Sequence, residues 1–324
     1  PVVVHPQMLE DRLVWDNIYY QMLTAEPVEY PAYYEEMARE SRESVIEGLK
    51  TDRHTWAEST RPMNIPFYTA EFKGSNEKTL LELYYAIPLE QLAQDEMYVD
   101  KDVTFKKGYS IHNLSWEPVV RENDAVVLPV RRDQNYVGVY RTYVEPDSYN
   151  VAFFINPQKT DYVGGYKFGE RIDNFNTKQL MMSSIELASQ IEPSVEKDVF
   201  VKNGLKVTPN PYRQFYRADP MNIYFEIYNL SKDKAGKTDF SIEYTLTSIE
   251  LDRSGLQKLV GFFTGGNKSS VTIRADRQGD SSTSIEFLAI DVNRYQSGEY
   301  ELKVKVTDEI TDDSFERKQI VKLH

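Results

Sequence analysis

Met221-Asn222-Ile223-Tyr224-Phe225-Glu226-Ile227-Tyr228-Asn229-Leu230 is the stretch that decides the fold class. Ile223, Phe225 and Ile227 alternate with Tyr224, Glu226 and Tyr228. A period of two in β-branched and aromatic residues predicts a strand, with Ile223, Phe225 and Ile227 facing a core and the tyrosines facing away from it. Asp219-Pro220 opens the strand, and Ser231-Lys232-Asp233-Lys234-Ala235-Gly236 closes it with turn-forming residues.

The same alternation recurs on both sides. Downstream, Phe240, Ile242, Tyr244 and Leu246 are interleaved with polar residues, as are Val271, Ile273 and Ala275, and Tyr300, Leu302, Val304 and Val306. Upstream, Phe67–Phe72 and Leu80–Ile87 flank a turn at Gly74-Ser75-Asn76-Glu77. Strand-like runs follow at 103–105, 109–116, 125–130 and 136–144, with Pro118 and Pro129 expected at strand ends. Many short strands separated by turn signals predict antiparallel sandwiches. Gly164-Gly165-Tyr166-Lys167-Phe168-Gly169 reads as a hairpin. Residues 177–191 read as a strand or an irregular connector.

Before Ile65 the period is helical. Met8, Leu9, Leu13, Trp15, Ile18, Tyr19 and Met22 recur at three- and four-residue spacing. Pro27 and Pro31 break this segment, and a second helix is expected from Pro31 to about Leu49. Two such helices cannot form a core alone and must pack on the following domain or on a partner.

The expected fold is therefore mainly β: two tandem Ig-like antiparallel sandwiches after a helical segment. The helical segment spans 1–60, the first sandwich 61–191 and the second 199–324. The polar, proline-containing stretch 192–198 is read as the link between the sandwiches.

Composition bounds the function. The chain has 324 residues and a formal net charge of −13, which argues against a nucleic-acid backbone or an anionic membrane as main partner. It has no cysteine, which excludes disulfides, thiolate metal sites and cysteine nucleophiles. No apolar run approaches the ~20 residues of a membrane-spanning helix. The start at Pro1, without Met, reads as a processed or trimmed N-terminus and leans towards an exported protein.

Two tyrosines share a local pattern. Asp147-Ser148-Tyr149-Asn150-Val151-Ala152-Phe153 and Gly298-Glu299-Tyr300-Glu301-Leu302-Lys303-Val304 each place a turn residue two before the tyrosine. Apolar residues follow at plus two and plus four. This is the spacing of a tyrosine corner, a structural device in which the hydroxyl bonds nearby backbone.

Three further stretches carry a family resemblance: Ser184-Ile185-Glu186-Leu187-Ala188, Lys202-Asn203-Gly204-Leu205-Lys206-Val207-Thr208-Pro209-Asn210-Pro211, and Pro220 to Leu230. With Gly298 to Asp308, they resemble the β-sandwich portion of bacterial GWxTD-domain envelope proteins. The Gly-Trp-x-Thr-Asp motif itself is absent, since none of Trp15, Trp56 and Trp116 follows a glycine. The resemblance implies an exported bacterial protein with Ig-like sandwiches, no established activity and no catalytic residues to carry over.

The sequence holds no recognisable catalytic constellation. His5, His54, His112 and His324 form no His-Glu-x-x-His site, and no nucleophile elbow or phosphate loop is present. No cofactor is expected. Asp308, Asp312 and Asp313, with Glu309, are the densest acidic cluster and a weak calcium candidate, whose simpler reading is a solvated hairpin tip. The 23 tyrosines and 15 phenylalanines are the unusual resource. Trp15, Tyr19, Tyr33, Tyr34, Tyr224 and Tyr228 are the interface candidates, because exposed aromatics suit recognition. The expectation is a non-enzymatic structural or interaction subunit of a bacterial envelope assembly, periplasmic or extracellular. Its partners would be other proteins of that assembly or its own copies. The alternative is a carbohydrate-binding accessory module that stacks sugars on exposed tyrosines.

Overall fold

The computed structural model describes residues 61–132, 134–249 and 270–324. The expected helices, with Trp15, Tyr19, Tyr33 and Tyr34, lie outside the described residues. The described chain is mainly β. It runs β1 (Arg61–Pro62), β2 (Phe67–Lys73), β3 (Thr79–Ile87), the short helix α1 (Leu89–Leu92), β4 (Asp102–His112), β5 (Pro118–Pro129), β6 (Tyr136–Val144), β7 (Ser148–Pro157) and β8 (Tyr162–Arg171). Then come β9 (Met181–Met182), β10 (Glu186–Pro193), β11 (Val201–Lys202), β12 (Leu205–Pro209), β13 (Gln214–Phe215) and β14 (Met221–Tyr228). The last are β15 (Thr238–Ser248), β16 (Ser270–Gly279), β17 (Ser284–Ile290), β18 (Gly298–Asp308) and β19 (Ser314–Leu323).

The chain divides into two units that are discontinuous in sequence. The described part of the first comprises 61–65, Ile87–Tyr136 and Ser148–Arg171; the second comprises Pro66–Ala86, Val137–Asp147 and Ile172–His324. The expected division at 192–198 does not hold. Pro193 still pairs with Leu205 in the ladder of β10 and β12, so this polar stretch lies inside the second unit. Residues 66–86 and 137–147, expected in the first domain, also belong to the second.

The first unit is built on one five-stranded sheet, ordered β1-β8-β7-β4-β5. One face of β4 and β7 is buried through Phe105, Tyr109, Ile111, Val151, Phe153 and Ile155. This is the period-two burial the alternation predicts. The expected breaks between 105 and 109 and before 125 are absent: β4 and β5 are continuous, long strands, and Pro118 and Pro129 sit at the two ends of β5. The glycine-rich 164–169 is not a hairpin but the body of β8, paired residue by residue with β7. Gly164 is required there, because a Cβ would lie 2.3 Å from Ile65 Cδ1 and 2.8 Å from the Met63 carbonyl.

The second unit carries three sheets: β2-β3-β6, β11-β12-β10-β14-β17 with β9 also on β14, and β13-β19-β18-β15-β16. They share one hydrophobic core. β14 is its centre, and it is buried on both faces. Phe225 meets Tyr244 of β15 with ring centroids 6.2 Å apart. On the opposite face, Tyr224 meets Phe72 of β2 at 6.1 Å. The sheet containing β14 is thus the middle layer, between the β15 sheet and the β2-β3-β6 sheet. Ile223, Phe225 and Ile227 are core residues as the pattern predicts, each fully buried. The expectation that Tyr224 and Tyr228 face outwards is overturned: they are 0% and 1% exposed.

Candidate functional site

The middle and outer layers of the second unit enclose a polar cluster, and its centre is Lys202. Lys202 ends β11, immediately before an Asn203-Gly204 turn into β12. Asn203 has φ 49° and Gly204 has φ 76°, so both central positions are left-handed. That is the two-residue hairpin turn for which Asn-Gly is the preferred pair. The turn fixes the lysine's backbone at the edge of the middle layer, and the side chain reaches inward.

The Lys202 Nζ donates to Glu82 Oε2 at 2.5 Å, to Glu186 Oε2 at 2.8 Å and to the Tyr84 hydroxyl at 2.8 Å. Its ammonium also lies 4.2 Å from the centroid of the Phe72 ring, 5.5 Å from that of Tyr84 and 5.6 Å from that of Tyr224. Three ring faces around one cation supply attraction through their quadrupoles and exclude water. Lys202 keeps only 12% of its side chain exposed, and Glu82 and Glu186 keep 1% and 0%. Arg141 of β6 completes the set, its Nε 2.5 Å from Glu82 Oε1. The Tyr84 hydroxyl donates to Glu82.

The two carboxyls are driven apart in acidity. Burial pushes Glu186 up to about 7, against the pull of Lys202. Burial also pushes Glu82 up, but Lys202 and Arg141 together outweigh it and hold Glu82 below its ordinary value. Glu186 Oε1 is buried and has no hydrogen-bond partner among the described residues. Burial likewise raises the Tyr68 and Tyr84 hydroxyls well above the ordinary tyrosine value, so both stay protonated donors.

A second polar group adjoins the first. Tyr224 donates to Glu226 Oε1 at 2.7 Å, and Tyr228 donates to Glu226 Oε2 at 2.8 Å. Asn203 Nδ2 bonds both the Tyr224 hydroxyl, at 2.6 Å, and Glu226 Oε1, at 2.9 Å. The Lys73 amide donates to the Tyr228 hydroxyl at 3.0 Å, and the Tyr68 hydroxyl donates to the Leu187 carbonyl at 2.9 Å. The last two bonds run between the β2-β3-β6 layer and the middle layer, and the others lie within the middle layer. They satisfy the hydroxyls that burial of the tyrosine face would otherwise leave unpaired.

The other residues singled out from the sequence lie elsewhere. The Tyr300 hydroxyl donates to the Gln296 carbonyl, four residues back, at 2.9 Å. Tyr149 is buried near the start of β7. Asp308 is 1% exposed, and its carboxylate accepts the amides of Ser231 at 2.7 Å and Ile310 at 3.0 Å. Its oxygens order two backbone turns, whereas Asp312 and Asp313 are exposed in the turn beyond. The structure does not assemble the expected calcium candidate, and among the described residues no group of three or more His, Cys, Asp or Glu could hold a metal ion.

Glu82, Glu186 and Lys202 were not legible as a set in the sequence. Each glutamate carries a signal, being a lone acid inside an apolar run: Leu80-Leu81-Glu82-Leu83-Tyr84-Tyr85 and Ile185-Glu186-Leu187-Ala188. A carboxylate in such a run needs a buried partner.

No protein-family model and no curated protein matches the chain. Among solved structures it is similar to Escherichia coli alpha-2-macroglobulin activated by porcine elastase, at 12% identity and a TM-score of 0.25. The alignment covers 84% of this chain and 24% of that protein, so the chain spans only a minor part of its length.

Proposed function

We propose that the chain is a non-catalytic structural and interaction component of a bacterial cell-envelope protein assembly. The observation that carries the reading is β5. It is a 12-residue strand at the end of the described sheet of the first unit, with most of its residues exposed. Val119 and Val127 are 51% and 59% exposed. A long edge offers unpaired backbone groups to a strand of another protein, and exposed apolar side chains add contact area. The envelope location rests on the quoted sequence resemblance to GWxTD-domain proteins. The Ig-like character of the paired β14 and β15 sheets is part of the same reading, and the Tyr300 hydroxyl bond supports it.

The carbohydrate-binding alternative loses its best residues, because Tyr224 and Tyr228 are interior. The experiment is gentle affinity purification of the full chain from an envelope fraction, beside the Val119→Lys/Val127→Lys double variant. The reading expects a stoichiometric protein partner that the variant loses while its circular dichroism stays unchanged. Retention on polysaccharide with no protein partner would overturn it.

A further inference from the structure

Lys202 and Glu186 bring an amine and a carboxyl into contact inside a water-poor, aromatic-lined space. Reactants held at contact distance escape the entropic cost of a bimolecular encounter. We propose that Lys202 and Glu186 condense into an intramolecular isopeptide bond, with Glu82 as general base. This does not depend on the edge-strand reading of function.

The geometry assigns the three roles. The Nζ, at 2.8 Å from Glu186 Oε2, is the nucleophile and sits 2.5 Å from the Glu82 oxygen that can take its proton. Glu82 is held as a carboxylate by Lys202, by Arg141 and by the Tyr84 hydroxyl, and an ionised carboxylate is a poor electrophile. Glu186 is held by Lys202 through Oε2, with the Tyr84 hydroxyl also bonding its carboxyl, while its Oε1 has no partner among the described residues. A charge on that oxygen would be unsolvated, so the neutral acid is favoured, and an amide carbonyl fits the same place. Burial moves Glu186 up to about 7 while Glu82 stays below its ordinary value. Two carboxyls pushed apart in this way take the parts of acid and base.

The step balances. Glu82 removes one proton from the Lys202 ammonium. The amine adds to Cδ of neutral Glu186, forming the Nζ–Cδ bond. A second nitrogen proton passes to the departing hydroxyl, the Cδ–O bond breaks, and one water leaves. Glu82 is left with one proton, which it returns to solvent on the side of Arg141, whose side chain is 32% exposed. The buried ammonium is gone, and the Glu82–Arg141 pair remains charge-balanced. The bond joins positions 16 residues apart and locks β10 to the β11–β12 hairpin in a chain that has no cysteine for a disulfide.

Intact mass spectrometry of the purified full chain tests this directly. The expected mass is that of the sequence less one water, and digestion gives one linked peptide carrying Lys202 and Glu186. Lys202→Arg gives the uncorrected mass. Glu186→Gln gives the same linked peptide with loss of ammonia instead of water. Glu82→Gln, with circular dichroism unchanged, leaves most of the protein unlinked. A folded wild-type chain at its full sequence mass, before and after incubation at neutral pH, would overturn the proposal. So would a linked peptide that joins Lys202 to Glu82. The wild-type result stands even where a variant fails to fold.

Discussion

Replacing Tyr224 by alanine should destabilise the protein as severely as replacing Phe225, its neighbour on the opposite face of β14. Both side chains are fully buried. Phe225 packs on Tyr244 on the side of the β15 sheet. Tyr224 packs on Phe72 on the side of the β2-β3-β6 sheet. Truncating a buried aromatic costs about 3–5 kcal/mol, through lost burial plus the cavity left behind. For Tyr224 the lost bonds to Glu226 and Asn203 add about 1 kcal/mol. Tyr224→Phe separates the terms: it keeps the ring and should cost only that last ~1 kcal/mol, because Glu226 retains Tyr228 and Asn203. Urea denaturation midpoints at unchanged slope measure all three variants. A cost below about 1 kcal/mol for Tyr224→Ala, as at an exposed position, beside a full cost for Phe225→Ala, would refute the layered account of this unit.

Gly138→Ala should cost about 1–3 kcal/mol by thermal melt, because its Cβ would meet the Tyr85 ring 2.4 Å away and that ring is buried and stacked on Tyr140. Asp308→Ala should cost about 1–3 kcal/mol in denaturant titration by stranding the amides of Ser231 and Ile310. His112 is lowered from its ordinary 6.5 by burial, only partly offset by its contact with the Trp116 carbonyl. The unfolded chain therefore binds the proton more readily, so this contribution to stability is present above 6.5 and lost as pH falls through the lower folded value. NMR titration should place the imidazole below 6.5, and His112→Gln should flatten the stability loss on acidification; a midpoint at or above 6.5 would contradict it.

The strand alternation carried much of the fold. The span 136–144 coincides with β6, and the turn at 74–77 closes the hairpin of β2 and β3. What alternation could not convey is what covers each face. Tyr224, Glu226 and Tyr228 are polar enough in composition to read as a solvent face, yet the hydroxyls and the carboxylate satisfy one another inside the protein. The domain boundary failed for a related reason. The polar 192–198 has the composition of a linker, but Pro193 continues a ladder with Leu205. Nothing local in residues 66–86 or 137–147 announces that they pack with strands distant in sequence. The Lys202 cluster was hidden likewise, since its members come from β3, β6, β10 and β11 and meet only after those strands are assembled.

The most direct test of the three-layer account is the folding of a fragment spanning 199–324, the second domain as sequence composition alone would cut it. It lacks β10, which pairs with both β12 and β14, and it lacks the whole β2-β3-β6 layer over Tyr224 and Tyr228. Near-ultraviolet circular dichroism with thermal melting is the measurement. The account predicts a fragment without fixed tyrosine signals or a cooperative transition, whereas 61–324 shows both. A fragment 199–324 that melts sharply with native-like tyrosine signals would contradict it.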